Sequence, residues 1–218
     1  MPLCNRVAPD GSLHAVAARG MFTGNRGIIH DPATKTLTGR RWSNKSWIAC
    51  TCQWKATRRA VFGKNAASGG AGWSELFFLD EVTALAAGHR PCFFCRRMEA
   101  KAFAEACAGT GLTKAKQFDQ RLHGERRLSS ILAPRHFGFD ELPGLPDGTI
   151  VQAATLFLAL KQRHALPWSF TGYGAPVELG QLANQAITLV TPGLVLVALA
   201  SGYQPAWHQS AVKPGRIG

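Results

Sequence analysis

A chain of 218 residues, 46% hydrophobic and 17% charged, has the length and apolar content for a sizeable core, which excludes a disordered polar tail and leaves room for one large domain or two small ones. Its 25 Lys and Arg against 13 Asp and Glu give a net charge of +12 and a pI near 10.0, a balance suited to a polyanionic partner. No apolar run is long enough to span a membrane, and residues 1–20 lack a secretion-signal layout, so the 6 cysteines are expected reduced in the cytoplasm rather than paired in a disulfide framework.

Residues 1–40 are punctuated by Asp10-Gly11, Gly20 and Gly24-Asn25-Arg26-Gly27, and read as loops and short strands laid as a cover over the cysteine-bearing region. The Gly24–Gly27 stretch reads as a plain turn, since no helix start comes after it to make it a phosphate cradle. From Arg41 to Phe62, alternating apolar and polar residues predict a β-hairpin or meander. Basic residues interleave there with Trp42, Trp47 and Trp54: the tryptophans read as a core face, and Arg58 and Arg59 are assigned to nucleic-acid contact. Lys64–Gly72 reads as a glycine-rich insertion.

Asp80–Ala87 is a short helix closed by Gly88, where a left-handed residue costs little. Pro91 then blocks renewed helix just before Cys92-Phe93-Phe94-Cys95, a C-x-x-C knuckle that suits two thiolates on one metal ion. His89, Arg90, Arg96 and Arg97 crowd the knuckle with positive charge, pointing to DNA, with RNA equally compatible. An amphipathic helix over Met98–Ala108, a Gly109-Thr110-Gly111 break and a basic helix over Leu112–Leu128 make an ordinary helical hairpin rather than a helix-turn-helix.

Pro134–Gly148 reads as a connection. Strands come next at Thr149–Val151, Thr155–Leu160, Leu166–Phe170 and Ala186–Val190, then a helix with Thr191 as N-cap and Pro192 at its first position, ending near Gly202. The expected fold class is α+β: a small zinc-stapled module with a helical hairpin over residues 1–133, a connection over 134–146, and a strand-rich α+β unit over 147–211.

The segment Phe77-Phe78, Ala84/Ala86/Ala87 and Gly88-His89-Arg90-Pro91-Cys92-Phe93-Phe94-Cys95-Arg96 resembles the metal-binding module of Ada-type DNA alkylation-response proteins. That family has an aromatic pair, an Ala-rich helix and Gly-aromatic-Arg-Pro-Cys-x-x-Cys-Arg at the same intervals. It completes its zinc site with two earlier cysteines, the first on an apolar strand. Trp47-Ile48-Ala49-Cys50 matches that strand, which makes Cys50 the third ligand by resemblance; the family's second cysteine falls on Trp54 here, and Arg97 stands where the family has proline. The resemblance implies bound zinc, contact with DNA through Arg58, Arg59, Arg90, Arg96 and Arg97, and stoichiometric transfer of a methyl group from a DNA phosphotriester to Cys50. No turnover catalysis is implied.

Structural zinc takes four ligands, and the expected set is Cys50, Cys52, Cys92 and Cys95, with His89 and His123 competing for the place given to Cys52. Cys4 and Cys107 read as plain buried or terminal thiols. Two alternatives stand beside the DNA reading. One is a structural zinc domain that binds a partner or small molecule. The other is a metal-assisted nuclease built from His123, Glu125 and His136, with His30 and Asp31, although no metal-ligand motif links these residues.

Overall fold

The computed structural model describes residues 1–53, 59–131 and 136–211, with backbone alone at 127–131 and 136–137. The first half contributes strands β1 (Arg6–Val7), β2 (Leu13–His14), β3 (Phe22–Asn25), β4 (His30–Asp31), β5 (Thr36–Leu37), β6 (Ile48–Thr51), β7 (Leu76–Phe78) and β8 (Arg90–Pro91). Six of them form a mixed sheet in the order β2-β1-β7-β3-β6-β8, while β4 and β5 pair separately. The architecture is α+β, as expected from the pattern of elements.

The N-terminal residues are not a cover: β3 lies inside the sheet, antiparallel to both β6 and β7. Its glycine reads as loop punctuation, yet a Cβ at Gly24 would stand 2.2 Å from the Ile48 carbonyl oxygen and 2.8 Å from the Phe78 ring. The position therefore needs a residue without a side chain for close approach, the other use of glycine in a strand. The Arg41–Phe62 stretch is not a hairpin either. Among its described residues only Ile48–Thr51 is strand, and its partners come from residues 22–25 and 90–91. Trp47 is buried between the Arg26 and Arg126 guanidiniums, at 4.0 and 3.9 Å from the ring centroid, and Trp54 lies outside the described residues.

Helix α1 (Glu81–Ala86) begins where Asp80 accepts the Thr83 N–H at 2.9 Å and stops at Gly88, φ 77°. Every residue of α1 is buried, because it lies among three apolar clusters. Ala84 packs with Leu76 and Phe78 of the first sheet. Val82 and Ala86 meet Ile150, Ala159 and Leu166 of a second sheet, and Leu85 meets three further helices. The two units expected from the sequence thus share a core through this helix.

Those helices are α2 (Arg97–Ala106), α3 (Ala115–Ile131) and α4 (Gly193–Ala200). Among the described side chains of the basic α3, Phe118 and Leu122 fill the space between Phe103 of α2 and Leu194 and Val195 of α4. Burying each of these side chains is worth about 2 kcal/mol. Thr191 is not the cap of α4. Its hydroxyl receives the Ile150 N–H at 2.7 Å, Pro192 holds the N-cap position, and Glu125 of α3 accepts the Leu194 N–H at 3.0 Å.

The second sheet contains β9 (His136–Phe137), β10 (Ile150–Ala153), β11 (Leu156–Lys161), β12 (His164–Ser169), β13 (Gly172–Tyr173), β14 (Val177–Glu178) and β15 (Ile187–Leu189). Its order is β13-β12-β11-β10-β15-β9, with β14 on β12, and every pairing is antiparallel. The expected connection contributes β9 and a 3-10 turn over Phe139–Gly144. Among the described residues no helix is long and apolar enough to cross a membrane.

Candidate metal centre

Strand register brings the cysteines together. β8 runs parallel to β6 with Ile48 beside Arg90 and Ala49 beside Pro91, and the Cys92 N–H donates to the Ala49 carbonyl at 3.1 Å. One residue further on, Cys50 lies beside Cys92. The knuckle turns back through Arg96 N–H to Cys92 C=O at 3.0 Å, while the Phe94 N–H points at Cys92 Sγ at 3.4 Å, and this turn returns Cys95 to the same spot. The Sγ atoms of Cys50, Cys92 and Cys95 all lie within 4.8 Å of one another.

Three sulfurs at that separation could hold a metal ion. Sulfurs about 2.3 Å from a tetrahedral zinc stand roughly 3.8 Å apart, which this triad reaches with little movement, and an all-sulfur donor set suits a soft or borderline cation. Without a cation the sulfurs compete for protons. Hydrogen bonds from the Cys50 and Cys95 thiols pull the Cys92 thiol far down, and donating to Cys92 pushes the Cys50 thiol far up. A cation replaces the shared protons and relieves this competition.

The expected fourth ligand is absent from the cluster. Cys52 is exposed, and its Sγ is turned to the Gly20 and Met21 carbonyls at 3.7 and 3.4 Å. It lies just past the end of β6, and its sulfur is not part of the cluster. His89 is fully buried between the Trp47 and Phe78 rings, where Nε2 accepts from Arg26 Nε at 3.3 Å. His123 sits edge-on to Trp42, 5.4 Å between ring centroids. Among the described residues the three cysteines are the one group of His, Cys, Asp or Glu that could share an ion.

The arginines assigned to nucleic acid divide sharply. Arg90 grips Asp119 with Nε at 2.8 Å and Nη2 at 2.9 Å. Arg96 pairs with Glu81 at 2.9 Å, both side chains 2% exposed, and stacks on Phe22. Arg59 pairs with Glu75 at 2.8 Å and lies over Trp73. These three guanidiniums hold the fold together, Arg97 faces solvent, and Arg58 lies outside the described residues. The residues grouped for a nuclease are dispersed. His30 stacks on Phe62 and bonds Ser74, Asp31 holds the Ala33 N–H in the β4–β5 turn, and Glu125 serves α4. The side chain of His136 lies outside the described residues.

Sequence reasoning missed the cavity beside the triad. Alternation along β3, β6 and β7 sends Gly24, Ala49, Leu76 and Phe78 to one face of the sheet, Ala49, Leu76 and Phe78 joining the core. Thr23, Asn25, Ile48, Cys50 and Phe77 take the other face and floor a cavity of about 550 Å³ that all three cysteines of the cluster line, with Cys52 beside them. Val61, Phe94, Trp73 and the Arg59–Glu75 pair form its walls. Glu75 is only 4% exposed and accepts from Arg59 Nε, the Phe62 N–H and Asn65 Nδ2, so it anchors the loop of residues 59–65 over the sheet. The period-two pattern was the available signal, but it needed the pairing partners.

No family model, curated protein or solved structure matches this chain, so the site's own geometry carries its chemistry.

Proposed function

We propose that the triad binds zinc and that the protein is a DNA-binding zinc protein of alkylation damage, with Cys50 as a sacrificial methyl acceptor. The observation that carries this reading is the position of Cys50: a member of a three-sulfur cluster, on the cavity face of its strand, only partly buried. Zinc at the triad would keep its sulfurs as thiolates at neutral pH, and the thiolate is the nucleophilic form. Cys50 Sγ forms a bond to the methyl carbon as the carbon–oxygen bond to phosphorus breaks, and the phosphodiester departs as an anion. Cys92 and Cys95 hold the ion, and the apolar walls keep water from the methyl group. The resemblance over Phe77–Arg97, the net charge of +12 and the exposed Arg97, Lys101 and Lys45 support a DNA backbone as the partner.

Intact mass measurement tests the reading. Native spectra should show one zinc per chain, lost in Cys92→Ser. Denatured spectra after incubation with methyl-phosphotriester DNA should show a single added methyl on Cys50. A zinc-loaded chain that gains no methyl defeats the transfer, and a chain without metal defeats the centre itself.

A further inference from the structure

A tetrahedral metal held by three cysteines has one position left, and in open sites that position takes water or a ligand. The three sulfurs line the cavity, so an ion among them borders it. Cys52 lines the same cavity, but its Sγ lies outside the cluster and turns to two carbonyls, and His89 is held by Arg26. The cavity's 550 Å³ is within the range of small-molecule sites, and Ile48, Val61, Trp73 and Phe77 make much of its lining apolar, a poor match for water alone.

A second polar feature faces the same space. Asn25 is 8% exposed and lines the cavity, and its orientation is set because Oδ1 accepts the Gly27 N–H at 3.1 Å. Its Nδ2 donates no hydrogen bond among the described residues and is not among the buried polar atoms closed off from the surface, so it is open to an acceptor in the cavity. In the β3–β6 register Thr23 faces Cys50 and Asn25 faces Ile48, so the amide stands two residues, about 7 Å, along the sheet from the cysteine row.

We infer that the fourth position on the metal is taken by an exogenous small molecule seated in this cavity, a thiol with a short apolar stem and a hydrogen-bond acceptor beyond it, received by Asn25 Nδ2. The thiol binds as thiolate and releases its proton to solvent. Soft donors suit an all-sulfur centre, and the stem lies on Ile48 and Phe77. This inference rests on the metal reading above but not on methyl transfer or on DNA.

The test uses the full chain loaded with cobalt(II), whose visible bands report coordination, kept under argon. Two probes are titrated: N-acetylcysteamine, a thiol with an amide carbonyl, and ethanethiol, which lacks the acceptor. Both should shift the bands, with N-acetylcysteamine about fivefold tighter, the usual weight of one hydrogen bond. Asn25→Asp keeps the acceptor for the Gly27 N–H and removes the donor, so the two probes should become equal. Cys52→Ala should leave the bands unchanged. Loss of the bands in Cys52→Ala, bands unmoved by either thiol, or an unaltered fivefold preference in Asn25→Asp would each overturn the inference. A wild-type chain without sulfur-to-cobalt bands would instead remove the metal centre on which it rests.

Discussion

Arg96→Met separates structural arginines from those available to DNA. Glu81 is 1% exposed; its carboxylate takes Arg96 Nη2 at 2.9 Å, the Ala206 N–H at 2.9 Å and the Tyr203 hydroxyl at 2.6 Å. Methionine replaces the stem of Arg96 but leaves the carboxylate buried with two donors and no cation. Breaking one partner of a buried pair costs roughly 3–5 kcal/mol. The two surviving hydrogen bonds to a charged group place this case at the low end, so about 3 kcal/mol should be lost. Glu81→Gln in the same background removes the stranded charge and should recover roughly half of that loss. Urea unfolding of the single and double variants in excess zinc measures both numbers. A loss below about 1 kcal/mol, or no recovery with Glu81→Gln, would refute an internal role for Arg96. DNA titrations supply the complement: Arg97→Ala should lower the salt slope by about 1, and Arg96→Met should not change it.

Gly24→Ala would force a methyl group against the Ile48 carbonyl and the Phe78 ring, and a loss of about 3 kcal/mol is expected in the same unfolding assay. Phe118→Ala empties a fully buried site between α2 and α4 and should cost about 3–5 kcal/mol, where a surface position would cost almost nothing. Burial, and then the neighbouring Arg26 and Arg126, hold the His89 imidazole well below its ordinary value of 6.5. The unfolded chain therefore takes up this proton first, and stability contributed by neutral His89 is present above about pH 6.5 and falls as pH drops. The slope should approach about 1.4 kcal/mol per pH unit and flatten in His89→Gln, measured by unfolding at stepped pH.

The metal knuckle was legible because its determinants are local. Gly88, Pro91 and the C-x-x-C spacing act over a few residues, and the structure holds the helix stop and the turn where those residues put them. The C-terminal strands were legible for the same reason, since alternation within one strand needs no partner. The third cysteine of the cluster, Cys50, lies 42 residues before Cys92 and came from resemblance; only the parallel β6–β8 register makes the two neighbours. The error over Cys52 is of the same kind. Its nearness to Cys50 in sequence made it a candidate ligand, but the chain past the end of β6 leaves it outside the cluster.

Charge deceived for a related reason. Arg90 and Arg96 count as surface charge until Asp119 and Glu81, brought in from other elements, neutralise them in the interior. The cavity was hidden most deeply, because its floor joins alternate residues of three strands and its walls come from the loop at 59–73 and the knuckle. By itself the sequence determined an α+β chain, a helix stop and a two-cysteine turn, features specified by propensity and short-range spacing. The third cysteine of the cluster, the neutralised arginines and the cavity were decided by tertiary structure, because each depends on which strands pair and on what those pairings enclose.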